Sequence, residues 1–164
     1  MNRLKFLTRT KFLWAAFVVS LIMLAAFGAV MRVWNFEMLD MMDTAKDVSA
    51  ALDSMTLEQR RAHIIMTLSL DVAYPLTTAA LLGGLVLKFF GRGSLWLALP
   101  ALGFLAADLI EGVAQIMLLS GQTDFMDLKL IMTPLKMQLL TIAFIFALAA
   151  CLFGVFQKLR RAPI

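Results

Sequence analysis

Five residues of this chain are ionisable or hydrogen-bonding groups set inside otherwise apolar runs: Asp71 and Tyr74 in LSLDVAYPL, Asp108 and Glu111 in ADLIEG, and Lys136 in TPLKM. Acids crowded together out of water change protonation state instead of staying charged, so such a group takes up and releases protons or holds a cation. The same acids, with a proton to give or take, can serve as general acid or base on a lipid-like substrate. Asp108 and Glu111 are the candidates for that role.

What must position these groups follows from composition. The 164 residues are 62% hydrophobic and 16% charged, with mean hydropathy +0.87, far outside the soluble range. Crossing a hydrocarbon core of about 30 Å takes roughly 20 apolar residues. Residues 12–31, 64–87, 94–120 and 130–156 all meet that length. The fold class expected is all-α: an integral membrane four-helix bundle, one domain over 1–164, with an amphipathic interfacial helix in the outer segment 32–62 between spans one and two. The first run follows Arg3, Lys5, Arg9 and Lys11, as the core of a signal peptide would. Its 20 uncharged residues exceed a signal core, and Arg32 follows in place of a small-residue cleavage site, so it reads as a retained span.

Basic residues orient the bundle. Nine lie on one side: the N-terminal four, Lys88 and Arg92 in the turn between spans two and three, and Lys158, Arg160 and Arg161. Five lie on the other: Arg32, Lys46, Arg60, Arg61 and Lys129. Both termini are therefore expected on the cytoplasmic side of the cell's inner membrane. Juxtamembrane lysine and arginine near anionic lipid account for the pI of 9.6 without a nucleic-acid partner. In the outer segment, Phe36, Leu39, Met42, Val48, Leu52 and Met55 recur at near-helical spacing with Asp40, Asp43 and Asp47 between them, the pattern of a helix lying on the outer membrane surface. Thr56-Leu57-Glu58-Gln59 fits a capping box and starts the second long helix at Leu57, before the apolar run. Arg60, Arg61 and His63 then sit at its outer end, placed for headgroup contact.

Depth follows by arithmetic. At 1.5 Å per helical residue, Asp71 lies ~10 Å and Lys136 ~9 Å below the outer ends of their spans, with Glu111 ~13 Å and Asp108 ~18 Å below the same surface. Helices of opposite direction thus bring their ionisable residues to one layer. Each turns a polar edge toward it: Thr67, Asp71, Tyr74 and Thr78; Asp108, Glu111 and Gln115; Thr133 and Lys136. A charge facing lipid at this depth costs at least about 2.5 kcal/mol, so the edges should meet inside the bundle. Pro75 and Pro134 cannot donate to the carbonyls of Asp71 and Leu130, which frees two acceptors near the layer. Lys136 is expected to pair with Asp71 or Glu111, leaving Asp108, the deepest acid, to hold a proton or a ligand. Three carboxylates against one ammonium leave an excess of two negative charges to be met by protons or by a cation.

Other chemistry is excluded. Cys151 is the sole cysteine, so dithiol redox is absent, and His63 is the sole histidine, so a multi-histidine metal cluster is too. No phosphate loop or dinucleotide fingerprint occurs. Met38, Met41 and Met42 have the softness for copper(I), but methionine is foremost an apolar filler, and no metal or cofactor is expected.

LDVAYP, ADLIEG and an early lysine in the last span together resemble a set of small bacterial four-span membrane proteins of unassigned function. In that set an L-D-x-x-F-P-like stretch precedes a D-x-x-E-N-like one. The resemblance covers residues 57–150, with Tyr74 in the aromatic place and Gly112 where the pattern has an amide. It implies the fold and carries no activity. A looser similarity of architecture is to the sterol isomerase and sigma-2 receptor class, whose bundles hold paired carboxylates in a cavity for amphiphilic amines. The function expected is binding of a proton, a cation or an amphiphilic ligand in a polar pocket toward the outer leaflet. The alternatives are an assembly subunit whose buried charges only specify packing, and a membrane enzyme on a lipid-like substrate.

Overall fold

The computed structural model describes residues 5–161; Arg3, counted above among the basic residues, lies outside them. Five helices form: α1 (Thr10–Trp34), α2 (Ala45–Ser54), α3 (Leu57–Phe90), α4 (Leu95–Leu119) and α5 (Met126–Arg161). Short 3-10 turns occupy Leu39–Met41, Arg92–Ser94 and Thr123–Phe125, and the described residues contain no strand. α1, α3, α4 and α5 are long and apolar enough to cross a membrane.

Pairwise contacts set the topology. Gln59 Nε2 donates to the carbonyls of Trp34 and Asn35 at 3.0 and 2.9 Å, and Lys88 Nζ donates to Thr10 Oγ1 at 2.8 Å, so α1 and α3 run antiparallel. Gly112 of α4 faces Thr67 of α3 while Gly83 faces Ala98, and Gly103 of α4 faces Leu139 of α5. The bundle therefore runs up, down, up, down. Both described chain ends lie at one end, and the connection from Asn35 to Thr56 closes the other.

Local sequence explains the helix starts. Thr56 Oγ1 accepts from Gln59 N at 3.2 Å and Gln59 Oε1 accepts from Thr56 N at 2.9 Å, so the predicted capping box starts α3 at Leu57. Thr44 caps α2 by accepting from Asp47 N at 3.2 Å. Asn35, with φ 50°, takes the left-handed position that ends α1.

Two apolar cores result. One joins Leu82, Val86, Ala98, Phe104, Ala143 and Ala147 of α3, α4 and α5. The small residues on α4 and α5 let the helices approach closely. The other lies at the closed end. There the outer segment is not one helix on a surface: it breaks into the Leu39–Met41 turn and α2, and its apolar residues Phe36, Leu39, Val48, Leu52 and Met55 turn onto Met66, Leu118 and Leu119. The helical spacing was legible, but it serves a cap on the bundle's end. The polar layer lies between this cap and the first core.

Candidate functional site

Lys136 is the centre of the layer. Its ammonium lies 2.5 Å from Asp40 Oδ2, 2.5 Å from Glu111 Oε2 and 3.0 Å from Asp108 Oδ1, and the residue is 4% exposed. α5 brings the lysine against α4, its most extensive neighbour, and α4 presents both acids one turn apart. Glu111, wholly buried, also receives the Thr133 hydroxyl on Oε1 at 2.5 Å. That hydroxyl lies 3.0 Å from the carbonyl of Lys129 as well. One oxygen each from Asp40, Asp108 and Glu111 lie within 4.8 Å of one another, a spacing that suits a cation, and the lysine ammonium fills the place.

Asp40 was not expected here. Sequence spacing assigned it to a solvated face, yet the 3-10 turn carries it down onto the layer, where it also accepts from Gln115 Nε2. Neighbouring ties hold the turn in place. The buried Lys129 donates to the Met42 carbonyl, and Leu39 N donates to His63 Nε2 at 3.4 Å. Burial alone would raise the Asp40 carboxyl, but the Lys136 ammonium, with hydrogen bonds from Lys136 and Gln115, holds it below the ordinary 3.8. The signal that could have found Asp40 is faint: it follows directly on Leu39, one of the apolar residues whose spacing marks the segment's inward side.

Of the two partners expected for Lys136, Asp71 or Glu111, the structure brings Glu111 to it. The roles expected of Asp108 and Asp71 change. Asp108, expected to lack a full partner, has Lys136 at 3.0 Å. The reason is azimuthal, since α5 lies along α4 and less closely on α3, so the acids of α4 reach the ammonium first. Asp71 takes the place foreseen for Asp108. It is 8% exposed, lies in electrostatic range of Asp40, Asp108, Glu111 and Lys136, and has no hydrogen-bond or ion-pair partner among the described residues.

His63 departs from headgroup contact altogether. Its ring is fully buried, 4.9 Å from the ring of Phe36, and an Nε2 that accepts from Leu39 places the ring proton on Nδ1, beside Thr67 Oγ1 at 3.4 Å. Arg60 donates to the Leu52 carbonyl at 2.6 Å and so closes the C-terminus of α2, while Arg61 remains exposed. Tyr74 packs edge-on to Phe27 at 5.9 Å and faces the flank of the bundle beside Ser20 and Thr78, not the Lys136 cluster. Two further members, Lys129 and Gln115, complete the layer. Gln115 Oε1 is buried and has no hydrogen-bond partner.

Asp40 and Lys129 enter the layer together, so the count becomes four carboxylates against two ammonium groups, and the excess of two negative charges persists. No protein-family model, curated protein or solved structure matches the chain.

Proposed function

We propose that the four long helices cross the cell's inner membrane with both chain ends cytoplasmic, and that the polar layer beneath the outer cap binds and releases a proton or a small cation, with Asp71 as the group that changes state. The observation that carries this reading is a buried carboxylate without a partner, beside an ammonium already held by Asp40, Asp108 and Glu111. An acid so placed is neutralised by a proton or a bound cation, because a lone charge in an apolar setting is strongly penalised. The closure of the layer under the cap favours a proton or small cation over a bulkier amphiphile. Arg61, exposed at the rim, is placed for headgroup contact.

A second reading has its own support. Lys136 ties the cap to α4 and α5, so the cluster also suits a clamp whose task is to hold the outer segment in register. Infrared difference spectroscopy on the full-length protein separates the two. On stepping the pH across the range in which buried carboxyls titrate, up to about pH 9, a protonated-carboxyl stretch should change in the parent and vanish from the difference spectrum of Asp71→Asn. A parent spectrum without such a change, or one that Asp71→Asn leaves intact, would return the layer to the clamp reading.

A further inference from the structure

The flank between α1, α3 and α5 contains two adjoining cavities. One, of about 480 Å³, is lined by Thr10, Leu13, Lys88, Phe89 and Leu148 among others. The second, of about 370 Å³, extends past Ser20 and Leu24 to Tyr74 and Thr78. They share Phe17, Leu81, Leu82 and Phe144, and so form one trough. Along α1 it runs from Thr10 to Leu24, ~21 Å at 1.5 Å per residue. Half of a hydrocarbon core measures about 15 Å, so the trough is long enough for a complete acyl chain of one leaflet.

Its mouth is cationic and lacks a counter-charge. Lys88 Nζ donates to Thr10 Oγ1 at 2.8 Å and lies 5.4 Å from the Phe89 ring centroid, and it has no ion-pair partner among the described residues. No acid is near in sequence: the stretches 5–36, 72–107 and 128–161, within which the described residues of this end of the bundle fall, hold neither Asp nor Glu. Arg9 and Lys11, both exposed, adjoin Thr10 in the chain. An ammonium beside a hydroxyl, with no carboxylate to pair with, above an apolar channel, is complementary to a molecule with a phosphate at one end and a hydrocarbon chain below it.

We propose that the trough is a binding site for one anionic phospholipid, its phosphate received by Lys88 and Thr10 and one acyl chain lying along α1 toward Tyr74 and Thr78. The site lies outside the proton-binding layer and stands whether or not that reading holds. The test uses the full-length protein, delipidated in neutral detergent, with bound lipid counted by native mass spectrometry. The probes are phosphatidylglycerol, phosphatidylcholine with the same chains, and glycerol phosphate without chains. One phosphatidylglycerol should be retained in preference to phosphatidylcholine, with glycerol phosphate a poor competitor.

Lys88→Gln should weaken retention about fivefold, the share of one surface lysine at about 1 kcal/mol. Leu148→Trp, at an exposed position of the lining, should weaken retention of every chain-bearing lipid by crowding the trough. Lys158→Gln, an exposed lysine of the same end, should leave retention unchanged. Thr10→Val, at an exposed position, tests the mouth if Lys88→Gln does not fold. The proposal is overturned if phosphatidylcholine is retained equally, if glycerol phosphate competes as well as the lipid, or if Lys158→Gln costs as much as Lys88→Gln.

Discussion

At the end of the bundle that holds the connection from α1 to α3, the chain places all 11 of its acids together with six bases; the stretches that reach the other end carry nine bases, Arg3 outside the described residues among them, and no acid. The first end is net −5 and the second net +9, which together make the formal +4 of the chain. The acidic end draws Lys129, Lys136 and the acids Asp40, Asp71, Asp108 and Glu111 inward and shuts a cap over them, while Lys46 and the other acids stay exposed. The basic end keeps Lys5, Arg9, Lys11, Lys158 and Arg160 exposed and leaves an apolar trough open on the flank. Mixed charge can be buried because partners desolvate together, whereas like charge can only be spread over a surface or met by an outside anion. Changes at the acidic end should therefore cost stability, and changes at the basic end should cost little beyond lipid binding.

The largest effect to look for is all-or-none. In a background lacking Cys151, Ser49→Cys on α2 should react with a membrane-impermeant thiol reagent from outside the cell, and Ser94→Cys, beside α4, should not. Reaction of Ser94→Cys alone would invert the comparison. Next is Lys136→Met, which strands Asp40, Asp108 and Glu111 without their cation. A loss of about 3–5 kcal/mol is expected on breaking such a buried group. Lys88→Gln should stay within about 1 kcal/mol, since it removes one hydrogen bond from a half-buried lysine that has no ion-pair partner among the described residues. Thermal unfolding of the two variants side by side in detergent at neutral pH measures both, and equal melting temperatures would dissolve the contrast between the ends.

A smaller loss, about 1.5–3 kcal/mol, is expected for Asp40→Asn, because hydrogen bonds to a charged acceptor are removed while Lys136 keeps two acids. Its sign with pH is set by the carboxyl being held below 3.8 in the folded protein. Asp40 contributes stability above that value and loses it as the pH falls through the folded value. Parent and variant should thus differ at neutral pH and converge in acid, which hydrogen exchange at Leu39 to Met42 would follow. A difference that persists below the folded value would assign the cap's stability to its apolar residues alone. A loss of about 1 kcal/mol is expected for Gln59→Ala, which removes half of a capping box and two bonds to the end of α1. A silent substitution there would show that the cap core alone holds α1 against α3.

Much of this was legible residue by residue. The four apolar runs match α1, α3, α4 and α5 because span length is a local property of the chain. Thr56 and Gln59 announced the start of α3 because a capping box is closed by residues three apart. The common depth of Asp71, Asp108, Glu111 and Lys136 followed because rise per residue converts position into distance along a helix axis. Asp40 escaped notice for the opposite reason: its bond to Lys136 joins residues 96 positions apart, across a connection whose periodicity tells which side is apolar but not which surface that side covers. Lys129 looked like an outer rim charge and is buried only because the cap descends on it.

By itself, then, the sequence determined one coordinate of the layer: how far along the bundle each charged group lies and which edge of its helix it occupies. The tertiary structure alone decided the other coordinate, the order of helices around the axis, and with it the partners. α5 lies along α4, so Lys136 is met by Asp108 and Glu111, while the returning connection inserts Asp40, and Asp71, the other partner that depth allowed, is left aside. Helical period and rise are short-range and repeat along one chain, so they encode depth. Adjacency depends on how four apolar surfaces and one cap share their burial, a property of the whole packed set that no single segment contains.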